Sequence, residues 1–294
     1  MGRRRLPAGR DRRWPQPEAG PALSEYHRFV RILGRKVRYE DTGQGPTVLL
    51  LHGIGHSLRN WCRTVPALVE AGFRTISIDM PGFGYSEPMP DVLDEAGTTS
   101  FLEAFLDTFY IDDVDLVGHS LGGAVASIFA LHRPARVRRL ALVAAAVGPD
   151  VSPALRLLAL QIARPLLRPF ALRQVFYLLA SHWEGEILEQ ELRDAERWLS
   201  DPAARIYFWN VLRAGVRLRG VRPERLLLER LPELNLPVLV AWGKNDQIVP
   251  FSNVEKIRAR LPDARYAVYE KAGHMLPYEV AAEFNRDLIH FLRN

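Results

Sequence analysis

Cysteine is almost missing from this chain. Cys62 is the only one among 294 residues, so no internal disulfide can form. Long apolar runs are missing too: no window approaches the roughly 18 uninterrupted apolar residues of a membrane span. No H-E-x-x-H and no cluster of His and Cys occurs, so neither a metal nor a cofactor is implied. Charge of one sign is scarce outside one place. The formal net charge is +5, and residues 1–13, "MGRRRLPAGRDRR", hold six Arg and one Asp, 6 − 1 = +5. The remainder balances and leaves no basic face for phosphate contacts, which argues against a nucleic-acid partner. The tail lacks an apolar stretch and does not read as a signal peptide. Its Arg, Pro and Gly content reads as a disordered extension over residues 1–22, and a cytoplasmic location is expected. No internal repeat is visible.

What is present is material for one large α/β domain. Hydrophobic residues make up 48% and charged residues 25%. Residues 26–43, "YHRFVRILGRKVRYEDTG", alternate in period 2 about Gly34-Arg35, which predicts an antiparallel hairpin. A strand–helix alternation follows. "TVLLLHG" (47–53) is continuously apolar, as in a strand covered on both faces. The pattern predicts a helix over 58–72, a strand at 73–82, a helix over 99–110 and a strand at 137–146. Residues 149–232 show no clear strand, only apolar residues at helical spacing broken by prolines, and predict an all-helical insertion. The alternation then resumes through "LPVLVAWGKND" (236–246), "FSNVEKIRARL" (251–261), "ARYAVYEKAGH" (264–274) and a closing helix. The expected plan is a mostly parallel, doubly covered sheet with an N-terminal antiparallel hairpin. Its core spans 23–148 and 233–294, interrupted by a helical lid at 149–232.

Within this alternation, "VDLVGHSLGGAVASIFA" (114–130) turns from strand to helix at Ser120, between Gly118 and Gly122. A serine hydroxyl is a weak nucleophile until a base lies within hydrogen-bond reach. A very tight turn pushes such a side chain out, and the residues two before and two after must then be small. The following helix offers its unpaired N–H groups to a developing oxyanion. This is the G-x-S-x-G arrangement of a nucleophile elbow.

Five spaced segments, "LLLHGIG" (49–55), "DMPGFGYS" (79–86), "GHSLGG" (118–123), "WGKND" (242–246) and "AGHMLPYEVAAEFN" (272–285), complete a pattern. From about residue 25 to the end the chain resembles the lid-bearing α/β-hydrolases of the esterase/lipase class. The resemblance implies a triad of Ser120, Asp246 and His274, in the chain order of those hydrolases. His274 would take the Ser120 proton, and Asp246 would orient it. Some relatives carry the acid after the preceding strand, where Asp150 is the nearby candidate. The backbone amides of Ile54 and Leu121 are the expected oxyanion hole. His52 and the turn of Asp79, Gly82, Gly84 and Ser86 are expected to brace the loops. Candidate substrate-binding residues are His119, Trp183, Phe208, Trp209 and Met275.

The lid admits three readings: a wall of an apolar acyl pocket, a lipid-touching surface, or ordinary helix packing. Membrane contact is the less favoured. The leading function is hydrolysis of small to medium, largely apolar carboxylic esters through an acyl-enzyme. The alternative is hydrolysis of a C–C bond in diketo acids, as in similar hydrolases; Met275 after the histidine and "HGIGHS" depart from their pattern. Acyl transfer, perhydrolysis on the same triad, and a small-molecule receptor of the same fold stay open.

Overall fold

The computed structural model describes residues 28–89, 94–160, 200–217, 220–222 and 226–294. The expected hairpin is present. β1 (Arg28–Ile32) pairs antiparallel with β2 (Arg35–Thr42), with Val30 opposite Val37. Leu33 and Gly34 join them, both at positive φ, the twist a two-residue hairpin turn requires. β3 (Thr47–Leu51), β4 (Arg74–Ile78), β5 (Val114–His119) and β6 (Val137–Val143) follow. After the pair β7 (Val216–Arg217) and β8 (Gly220–Val221) come β9 (Val238–Gly243) and β10 (Arg265–Tyr269). The main sheet has eight strands in the order β1-β2-β4-β3-β5-β6-β9-β10. β2 meets β4 antiparallel, and every later neighbour is parallel.

Strand β3 shows why helices must cover both faces. All five of its residues are buried. Leu49 and Leu51 point into one core while Val48 and Leu50 point into the other, the period of 2 applied to a wholly apolar strand. The helices are α1 (Val65–Glu70), α2 (Glu95–Thr108), α3 (Leu121–His132), α4 (Pro153–Leu158), α5 (Pro202–Gly215), α6 (Ser252–Arg258), α7 (Leu276–Glu279) and α8 (Ala281–Arg293). Phe101 and Phe105 of α2, Phe129 of α3 and Ile257 of α6 fill the first core. Leu68 of α1 and Phe284, Leu288 and Phe291 of α8 fill the second. Each such side chain contributes about 1.5–3 kcal/mol relative to exposure.

Three expectations need correction. The helix expected over 58–72 is broken into a 3-10 turn, Leu58–Trp61, and α1. Pro66 sits at the start of α1, where its missing N–H costs nothing, and its ring bars continuation from the preceding turn. The closing helix is likewise divided into α7 and α8, because Val280 leaves the helical region with φ −136°. The insertion is not all-helical. β7 and β8 pair antiparallel through two residues each, too short for any periodicity to reveal. Residues 1–22 lie outside the described residues. No helix among the described residues is long and apolar enough to cross a membrane.

Candidate active site

Ser120 stands where β5 ends and α3 begins, at the carboxyl edge of the parallel sheet. Its backbone is strained, with φ 54° and ψ −116°, a region costly for a non-glycine residue. Neighbouring backbone holds it there. Ser120 N donates to Val143 O at 2.9 Å, and Ser120 O accepts from Ala146 N at 2.9 Å and Gly123 N at 3.0 Å. The glycines answer a steric demand. A Cβ on Gly118 would run into the Gly122 backbone, and one on Gly122 would run into the carbonyls of Leu51 and His52. The turn therefore closes only with both positions bare.

His274 lies in the loop between β10 and α7. Its Nδ1 is 2.8 Å from Asp246 Oδ2, in the loop after β9. The other Asp246 oxygen accepts from Ile248 N at 2.8 Å and Val249 N at 2.9 Å. The carboxylate side chain is fully buried with both oxygens satisfied, so it holds the imidazole through Nδ1. Asp150 is engaged elsewhere. Its Oδ2 accepts from Lys256 Nζ at 2.6 Å and Ser252 Oγ at 2.5 Å. Burial opposes its ionisation, but these two hydrogen bonds outweigh that and hold its carboxyl below the usual value.

The backbone of the histidine loop is clamped as well. Gly273 N–H and Met275 N–H, on either side of His274, both donate to the Glu279 carboxylate, the second at 3.0 Å. His119 Nε2–H donates to the His274 carbonyl at 3.0 Å, and the two rings lie 4.7 Å apart. Burial, and then the His274 charge, hold His119 well below its ordinary pKa, so it is neutral. No hydrogen bond joins Ser120 Oγ and His274 Nε2 among the described residues; such contacts are often long before substrate binds.

A cavity of about 180 Å³ reaches Ser120. Leu121, directly after it, and Ile54, after His52-Gly53, are on its wall, and neither amide donates a hydrogen bond among the described residues. Met80, Phe83, Phe101, Leu155, Tyr207 and Val211 also line it. No charged side chain lines it among the described residues. Burial raises the Tyr207 phenol far above its ordinary value, and its hydroxyl points to Met89 O at 3.4 Å.

The strand–elbow–helix, the acid after β9 and the histidine after β10 follow one sheet topology, and the sequence agrees with it: residues 46–280 match the profile of a family described as alpha/beta hydrolase fold. The chain belongs to the alpha/beta hydrolase fold family. Within this family it is similar to a 2-hydroxy-6-oxononadienedioate/2-hydroxy-6-oxononatrienedioate hydrolase of Burkholderia vietnamiensis (strain G4 / LMG 22486). The two are 33% identical over 274 residues, 88% of this chain and 91% of the other. A 2-hydroxy-6-oxo-6-phenylhexa-2,4-dienoate hydrolase of Burkholderia cepacia is 30% identical over 272 residues, 88% of this chain and 92% of its own. Among solved structures, a thermophilic esterase from Thermogutta terrifontis superposes with a TM-score of 0.74 at 25% identity, covering 90% of this chain and 98% of that one.

The remaining expected site residues of this hydrolase-fold chain divide. His52 braces: its Nε2 accepts from Met80 N at 2.8 Å, so its Nδ1–H donates to Gly53 O at 2.7 Å. Asp79 accepts from Leu58 N at 2.7 Å and Tyr85 N at 2.8 Å, and is structural. His119 and Met275 are buried behind the elbow and the histidine loop, off the cavity wall. Phe208 and Trp209 are on α5 but turn into the core; their neighbours Tyr207, Val211 and Leu212 face the cavity instead. The helical period gave a buried aromatic face without saying which flank of it stays open. Trp183 lies outside the described residues. Glu279 was missed, although its position five residues after His274 in an amphipathic segment was readable.

Proposed function

We propose that this chain is a serine hydrolase that cleaves carboxylic esters of neutral, largely apolar acyl groups. Ser120 Oγ attacks the carbonyl carbon as His274 Nε2 takes its proton. Asp246 keeps the imidazole in the tautomer that can accept it. The Ile54 and Leu121 amides hold the oxyanion, each worth on the order of 10²–10³ in rate. Collapse expels the alcohol, which leaves with the proton from His274. Water then attacks the acyl-serine, with His274 again as base, and frees the acid. Within the segment 149–232, α4 and α5 act as a cover over this site, through Leu155, Tyr207, Val211 and Leu212. The observation that carries the reading is the cavity at Ser120, lined by apolar side chains and by no charged one among the described residues.

The relatives favour a second reading. Two of them are named for hydrolysis of 2-hydroxy-6-oxo dienoates, which breaks a C–C bond, and they support that chemistry better than they support esters. Such substrates are carboxylate anions, and a carboxylate taken into an apolar cavity calls for a cation to pair with it. Arg164, Arg168 and Arg173 lie outside the described residues, and Arg156 Nε is engaged by Val151 O at 2.9 Å. Both series should be measured on one preparation. The ester reading expects p-nitrophenyl ester turnover that climbs with acyl length to a medium-chain optimum, up to about fourfold per methylene. Weak, flat ester turnover with fast diketo-acid cleavage would replace it with the second reading and keep the triad.

A further inference from the structure

The cavity has a direction that the ester reading leaves unspecified. Leu121, Ala124, Val125 and Ile128 all line it. They recur at i, i+3, i+4 and i+7, so one face of α3 forms a continuous wall for two turns beyond Ser120. Thr98, Phe101 and Leu102, at i, i+3 and i+4 of α2, line the same cavity. The space therefore enters the seam between α2 and α3, beneath the cover that α5 provides. From Leu121 to Ile128 a helix rises about 10 Å. Carbon–carbon bonds of about 1.5 Å meeting near 111° advance roughly 1.25 Å each along an extended chain. About eight carbons fit that length.

The wall chemistry narrows the occupant further. Thr98, Ser120 and Tyr207 carry the hydroxyl groups of the described lining, and the Tyr207 hydroxyl points to Met89 O. The described wall offers no cation to receive a carboxylate at the far end of a ligand. A dioate with charge at both ends would leave one carboxylate desolvated and unpaired against apolar carbon.

We propose that the seam between α2 and α3 is an acyl-chain ruler. It takes a straight, uncharged alkyl chain of about eight carbons. Ala124 keeps it open one turn from the elbow. Ile128, two turns on from Leu121, sets its end. This rests on the ester reading, because it assigns the acyl half of that substrate.

The test uses fluorophosphonates with n-alkyl chains from ethyl to tetradecyl, and reads the inactivation rate of the full chain. The wild type should react fastest near octyl, with each carbon below that adding up to about fourfold. Ala124→Leu should move the optimum to shorter chains, and Ile128→Ala to longer ones; Ala124→Val serves if the leucine prevents folding. The same optimum in all folded variants overturns the ruler. A second readout avoids chemistry at Ser120: the rise in melting temperature given by neutral n-alkanols on Ser120→Ala and on the same substitutions combined with it. A maximum near octanol that moves with the substitutions supports the ruler even where no phosphonate reacts, an outcome that defeats the ester reading alone. A flat alkanol series overturns the ruler.

Discussion

At residue scale the proposed acid, Asp246, differs from Asp150 in what each carboxylate touches. Asp246 gives one oxygen to two backbone amides and the other to His274, whereas Asp150 is paired with Lys256 and Ser252. Asp246→Asn keeps the shape but favours the wrong imidazole tautomer. Turnover should fall by roughly 10⁴, the serine-protease precedent, with the fold intact by circular dichroism. Asp150→Asn should cost at most about 1 kcal/mol of stability, as half-exposed ion pairs do, and leave turnover nearly unchanged. Reversed outcomes would put the acid at Asp150. His119 supplies a pH prediction. Burial keeps it neutral in the folded chain, with a pKa well below 6.5. The unfolded chain takes up a proton near 6.5 that the folded chain refuses. The unfolded state then binds more protons, so stability falls as pH drops through that value. Melting temperatures between about pH 8 and about pH 5 should fall for the wild type and fall less for His119→Gln. Parallel curves would mean that His119 titrates as it does in the unfolded chain.

At the scale of elements, the elbow is the join between β5 and α3. A methyl on Gly118 would enter the backbone of Gly122 and Gly123. Gly118→Ala should therefore cost about 1–3 kcal/mol and, by moving Ser120, slow phosphonate labelling more than the stability loss explains. Unchanged labelling and melting would show that the turn has room. This join was legible in the sequence because its demands are local: bare positions around one hydroxyl, a β-branched run before, a helical run after. The hairpin was legible for the same reason, since period 2 about Gly34 needs no distant partner. Elements defined by long-range packing were not. The run from Leu58 to Gly72 reads as one helix ending at Gly72, although Pro66 lies inside it. The pairing of Val216 with Val221 carries no period at all. On α5, Tyr207, Phe208 and Trp209 are consecutive, and sequence alone does not say which of three adjacent aromatics meets the cavity.

For the whole molecule, one sheet holds the site. Ser120 follows β5, and Asp246 and His274 follow β9 and β10, which come more than a hundred residues later in the chain; the sheet brings all three to one edge. The described part of this sheet begins at Arg28, where β1 starts. Deleting residues 1–22 should change neither melting temperature nor labelling; a large loss of either would give the tail a docking role. Ser120 is the proposed nucleophile of this assembled edge. Its most direct test is a fluorophosphonate probe followed by peptide mapping. A single adduct, on Ser120, is expected in the wild type and none in Ser120→Ala. An adduct on another residue, or labelling that persists in Ser120→Ala, would contradict it.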